Sequence, residues 1–120
     1  EPYRRQRQMC IRDRAQAAKA NIDYSDKYDL LVNPKEIELV KHINEFRNVI
    51  IDSAINRTPH KITNYVQRLA QLFHSFYNEC YVIDEDNLEL SGQRLALVEA
   101  TRITMANALN LIGVSAPEKM

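Results

Sequence analysis

The chain is poor in the residues that make tight turns, with only Gly92 and Gly113 among 120 positions, four prolines and no tryptophan. An all-β fold of many short strands needs more turn residues than this, so helix is favoured before any pattern is considered. The only cysteines, Cys10 and Cys80, are far apart with no CxxC pair. Neither a disulfide framework nor a zinc site is suggested, and the expected setting is a reducing cytoplasm. No apolar run approaches the roughly 18 residues needed to span a bilayer, and the N-terminus lacks the apolar block of a signal peptide, so no membrane partner is expected.

Net charge is also absent: 16 basic side chains balance 16 acidic ones. The balance is uneven along the chain. Residues 1–14 hold five arginines against Glu1 and Asp13, leaving 11 basic and 14 acidic groups in residues 15–120. A mildly acidic body does not bind nucleic acid by broad phosphate neutralisation.

Recognisable catalytic chemistry is missing as well. His42, His60 and His74 show no HExxH or paired metal spacing, and no serine or cysteine stands in a nucleophile motif. His74, on the flank of an aromatic stripe, reads as a satisfied interfacial residue. There is no glycine loop to cradle phosphate. Asp84, Asp86 and Glu89 hint at a calcium loop, but Glu89 and Leu95 stand at the sixth and twelfth positions where that loop needs glycine and glutamate. The chain is therefore expected to hold no catalytic residue, no metal and no cofactor.

What is present is helix, in a length that suits one core. Residues 59–81 form the strongest candidate. Ile62, Tyr65, Val66, Leu69, Ala70, Phe73, Phe76, Tyr77 and Cys80 recur at spacings of three and four, one face of an α-helix. Thr58 stands at the N-cap position and Pro59 at the first helical position. Phe73, Phe76, Tyr77 and Tyr81 crowd its far end, where Tyr77 and Tyr81, at i and i+4, can present adjacent rings. Two roles fit that spacing: core packing, with each phenol on a partner or water, or a platform on which unstacked bases lie.

Around this element the chain reads in order. Residues 1–14, EPYRRQRQMCIRDR, show no clear amphipathic period. Their charge suggests a phosphate-touching arm, but QRQMCIRDR resembles a translated sequencing adapter, so residues 1–14 are read as a non-native segment. Ala15, Ala18 and Ile22 form a modest helical stripe, the remnant of a longer helix. Residues 21–33 read as a loop anchored by Tyr24, Tyr28, Leu30, Leu31 and Val32. Asn33, Pro34 and Glu36 mark a helix start with a capping box. Leu39, Ile43, Phe46, Ile50 and Ala54 follow at helical spacing through residue 57, in one helix or two. Ser91 is placed to cap a last helix over residues 92–112, apolar around most of its circumference and hence buried. Arg94 and Arg102 interrupt it and need partners; Glu99 is the local candidate for Arg102. Gly113 then stops the helix in a left-handed conformation.

Three stretches, YVQRLAQLFHSFYN at 65–78, QRLALVEATR at 93–102 and ANALNLIGVSAPEKM at 106–120, resemble in order and spacing the C-terminal anticodon-binding domain of arginyl-tRNA synthetases, the domain named for its Asp-Ala-Leu-Arg signature. The resemblance covers residues 15–120. It implies an all-α, single-domain helical bundle of a class I aminoacyl-tRNA synthetase that binds the anticodon loop of tRNA-Arg. A catalytic domain of the same polypeptide, absent here, would activate arginine with ATP. Carried over by position, it implies base contacts from Tyr77, Tyr81 and Met120, with Met120 as the natural chain end, and a helix break near Phe46. EPYRRQRQMCIRDR departs from the family's usual helix there, and Asn107-Ala108 replaces its Asn-Gly. Two alternatives are a stand-alone helical protein-interaction module without RNA, and an anticodon-binding domain of a different synthetase. Binding to an arginine anticodon loop over a scrambled one separates them.

Overall fold

A computed structural model describes residues 3–113. They form five helices: α1 (Arg4–Lys19), α2 (Pro34–Asn44), α3 (Phe46–Asn56), α4 (His60–Glu79) and α5 (Leu88–Leu111). No strand occurs among the described residues, and the all-α expectation is met. No described helix is long and apolar enough to cross a membrane.

The centre is α4. It packs on α2, α3 and α5, while α1 lies along α5. Ile62, Tyr65, Val66, Leu69, Leu72, Phe73 and Phe76 are its buried residues; of the predicted stripe, Ala70 and Tyr77 are only partly buried and Cys80 is buried just past the helix end, while Leu72 is added. Tyr65 closes the α2–α4 contact. Its ring stacks on His42 at 4.0 Å between centroids, its hydroxyl donates to the His42 carbonyl, and His42 Nε2 lies 3.1 Å from the Tyr65 carbonyl.

The break between α2 and α3 falls at Glu45, giving two helices. The start of α2 is the expected capping box: Asn33 accepts from the Lys35 amide at 2.9 Å and Glu36 from the Asn33 amide at 3.0 Å. Ala54, expected on the inner stripe, is exposed; the buried residue of α3 is Ser53.

Three other helix ends differ from the sequence reading. Thr58 does not cap α4: its hydroxyl oxygen is buried without a hydrogen-bond partner, and Pro59 takes the N-cap position. Instead the turn is closed through the Thr58 backbone, its amide donating to the Ser53 carbonyl and its carbonyl accepting from the Ser53 hydroxyl. The last helix begins at Leu88, capped by Asn87 accepting from the Leu90 amide at 3.2 Å. Ser91 is inside it, its hydroxyl engaged elsewhere. The first helix extends upstream to Arg4 and buries Met9, Cys10, Asp13 and Ala17. That face has helical spacing, but a carboxylate among its members hides it from an apolar count, and Ala15 and Ala18 are exposed. Gly113 is left-handed, φ 75°, as expected.

The connection 21–33 is a loop, but of the five expected apolar anchors only Leu31 packs against the core. Tyr24, Tyr28, Leu30 and Val32 are exposed and only Leu31 is partly buried. Buried Ile22 and polar ties to α5 hold it instead. The Leu30 amide donates to Gln93 Oε1, Gln93 Nε2 donates to Asp29, and the Ser25 amide donates to the Gly92 carbonyl. A Cβ on Gly92 would stand 2.6 Å from the Asp23 carbonyl oxygen, so glycine is what lets the loop lie against the helix.

Candidate nucleic-acid interface

Single-stranded RNA is read by stacking unpaired bases on exposed aromatic rings, with hydrogen bonds to base edges and cations near phosphates. The aromatic end of α4 supplies rings of two kinds. Phe73 and Phe76 are fully buried, their centroids 6.1 Å apart, and belong to the core. Tyr77 packs, partly buried, against that core, and Tyr81 lies outside it.

Tyr77 is half-buried. Its ring is tilted against Phe73 at 5.7 Å, and the Arg12 guanidinium lies 5.6 Å from its centroid, within cation–π range. Its hydroxyl donates to Asp13 Oδ1 at 3.0 Å and accepts from Arg12 Nη2. Burial raises the Tyr77 pKa, with the Arg12 hydrogen bond opposing. Burial likewise raises the Asp13 pKa, and the hydrogen bond from Tyr77 pulls it back. The other Asp13 oxygen is buried without a partner. An open cleft of about 360 Å³ lies beside the ring, lined by Arg5, Gln8, Met9, Arg12, Tyr77 and Asn78.

Tyr81 is 83% exposed. The helix ends at Glu79 and Cys80 is extended, φ −116° and ψ 130°, so Tyr81 is not one helical turn from Tyr77 and the i, i+4 adjacency does not form. Its orientation follows from strand-like alternation instead: Cys80 and Val82 are buried, which turns Tyr81 outward. Its carbonyl accepts from Arg94 Nη1 at 2.7 Å. Met120 lies outside the described residues.

The two arginines of α5 both have acidic partners. Arg102 pairs with Glu99, as the sequence suggests. Arg94 Nε is 2.6 Å from Glu36 Oε2, 58 residues away. His74 is half-buried and its Nδ1 has no hydrogen-bond partner, so it is less satisfied than the sequence reading has it. Burial pushes the Cys10 thiol up to about 11 and raises that of Cys80. Neither is a thiolate near neutral pH. Among the described residues no group of three or more His, Cys, Asp or Glu side chains is placed to hold a metal.

Tyr81 is thus an exposed ring just past the end of a buried aromatic stripe. The profile of the DALR anticodon binding domain matches residues 6–120. The chain belongs to this family. Curated relatives of this DALR domain agree. Arginine–tRNA ligase 2 of Bacillus thuringiensis subsp. konkukian is 53% identical over 93 residues, covering 78% of this chain and 17% of the relative. The arginine–tRNA ligase of Shouchella clausii is 48% identical over 107 residues, covering 88% of this chain and 19% of its own length. That of Geobacillus kaustophilus is 47% identical over 108 residues, with coverage of 88% and 19%. The chain thus spans about a fifth of the length of these relatives. No solved structure matches it at a significant level.

Proposed function

We propose that this DALR domain is the C-terminal anticodon-binding part of an arginine–tRNA ligase and that it holds the anticodon loop of tRNA-Arg. The observation that carries the reading is Tyr81, a ring 83% exposed at the end of the aromatic helix in a chain of this family. A base splayed from the loop stacks on Tyr81. A neighbouring base packs on Tyr77, and Met120 supplies a third contact. The bound anticodon orients the acceptor end of the tRNA toward a catalytic domain elsewhere in the same polypeptide, which uses ATP to charge it with arginine. The domain alone holds no cofactor and is inactive in aminoacylation. Its setting is the cytoplasm.

Residues 1–14 are proposed to be non-native, on the resemblance of QRQMCIRDR to a translated adapter. Arg5, Gln8, Met9 and Arg12, four of the six residues lining the Tyr77 cleft, belong to that segment, so the functional reading rests on the aromatic rings and not on the cleft. A long read of the source DNA through these codons tests this; recovery of the same codons would restore the segment to the protein.

The test of function is a binding comparison between two RNA hairpins of equal length, one with an arginine anticodon loop and one with the loop scrambled. Preference for the arginine loop is the expected result. Equal binding, or none, would leave a stand-alone interaction module as the better description, and preference for another anticodon would assign the domain to a different synthetase.

A further inference from the structure

The segment that carries Tyr81, between α4 and α5, is tied to α5 at both ends. Cys80 and Val82 are buried on either side of Tyr81. Downstream, the Ser91 hydroxyl accepts from the Asp84 amide at 2.7 Å and donates to the Asp84 carbonyl at 2.8 Å. Arg94, three residues further along α5 and therefore on the same face, donates from Nη1 to the Tyr81 carbonyl at 2.7 Å and from Nε to Glu36 Oε2 at 2.6 Å. Glu36 is fully buried, and its other oxygen accepts from the Asn33 amide at the cap of α2. One guanidinium thus ties the Tyr81 backbone to the first turn of α2, while Ser91 fixes the far end of the strap.

We propose that Arg94 and Ser91 are positioning residues for RNA recognition: they clamp residues 81–84 to the first turns of α5 and so present the Tyr81 ring in a fixed orientation to an unpaired base. The inference rests on the reading of Tyr81 as a base contact. Its physical content is preorganisation. A ring on a loose strap must be ordered when the base stacks, and that entropy is subtracted from affinity; a clamped backbone has already lost it on folding. Lysine is not equivalent to Arg94 here, because its single ammonium nitrogen cannot occupy the places of both Nε and Nη1 in a fixed planar fork.

The prediction is a coupling between the clamp and the ring. In the full chain, binding of the arginine-anticodon hairpin is measured for Arg94→Lys, Ser91→Ala and Tyr81→Ala, and for each clamp variant combined with Tyr81→Ala. Melting by circular dichroism is followed in parallel. With Tyr81 present, each clamp variant is expected to weaken binding roughly fivefold; without it, by less than about twofold. Two clamp variants of different chemistry are used, so that failure of one to fold leaves the other to decide. Equal losses in both backgrounds would overturn the proposal, because the clamp would then act on the fold or on the RNA directly. So would unchanged binding by the clamp variants when Tyr81→Ala alone weakens it. If Tyr81→Ala binds as the parent does, the base contact itself is wrong and the positioning role falls with it, a result read from that single variant without reference to the clamp.

Discussion

Tyr77 and Tyr81 are four residues apart and meet opposite environments. Tyr77 is on the last full turn of α4, packed on Phe73, with its hydroxyl between Arg12 and Asp13. Tyr81 is past the helix end, exposed, and held only by its backbone. Had α4 run two residues further, both rings would share one face. The extended Cys80 breaks that register, and the alternation Cys80 in, Tyr81 out, Val82 in replaces helical periodicity as the rule that decides exposure. One ring becomes part of the fold and the other part of the surface.

The contrast can be broken most directly at Tyr77. Tyr77→Ala removes the contact with Phe73 and the donor to buried Asp13, and is expected to cost about 2–4 kcal/mol of stability in urea denaturation. A loss below about 0.5 kcal/mol, the size of a surface change, would make Tyr77 a surface platform like Tyr81 and erase the distinction. Tyr81→Ala should show the reverse pattern. Hairpin binding is expected to weaken by about 1–3 kcal/mol, the worth of one stacked base, with stability within about 0.5 kcal/mol of the parent. Unchanged binding with a lowered melting temperature would place the Tyr81 ring in a structural role.

Features carried by local chemistry were legible in the sequence. The Asn33–Glu36 capping box needs only neighbours within one turn, and Gly113 needs only its own freedom at positive φ; both form as expected. The stripe of α4 is legible because seven buried residues repeat at one period. What failed was decided by contacts outside the helix turn being read. Ser91 looks like a cap until Asp84 takes its hydroxyl, and Thr58 looks like one until Ser53 closes the turn. The apolar residues of the 21–33 loop suggested burial, but Gln93 and Gly92 hold the backbone and leave most of those side chains exposed. The candidate site was named only through family resemblance, which implies both tyrosines; nothing in the spacing says where α4 stops or that Arg94 reaches Glu36 across 58 residues.

The smallest expected effect is the most specific to Tyr77. Tyr77→Phe keeps the ring and removes only the hydroxyl that donates to Asp13. Burial already raises the Asp13 pKa, and this hydrogen bond opposes the rise. An acid whose pKa is higher folded than unfolded binds its proton more tightly in the folded state. It therefore weakens the fold when ionised near neutral pH, and the penalty is relieved as pH falls through the folded pKa. Removing the donor should raise the Asp13 pKa further and cost about 1 kcal/mol near neutral pH, with the deficit shrinking on acidification. Carboxyl carbon resonances followed by NMR would show Asp13 titrating at higher pH in the variant than in the parent. If the titration does not move, the Tyr77 hydroxyl faces Arg12 and solvent instead of Asp13, and the ring is closer to a free surface than its packing indicates.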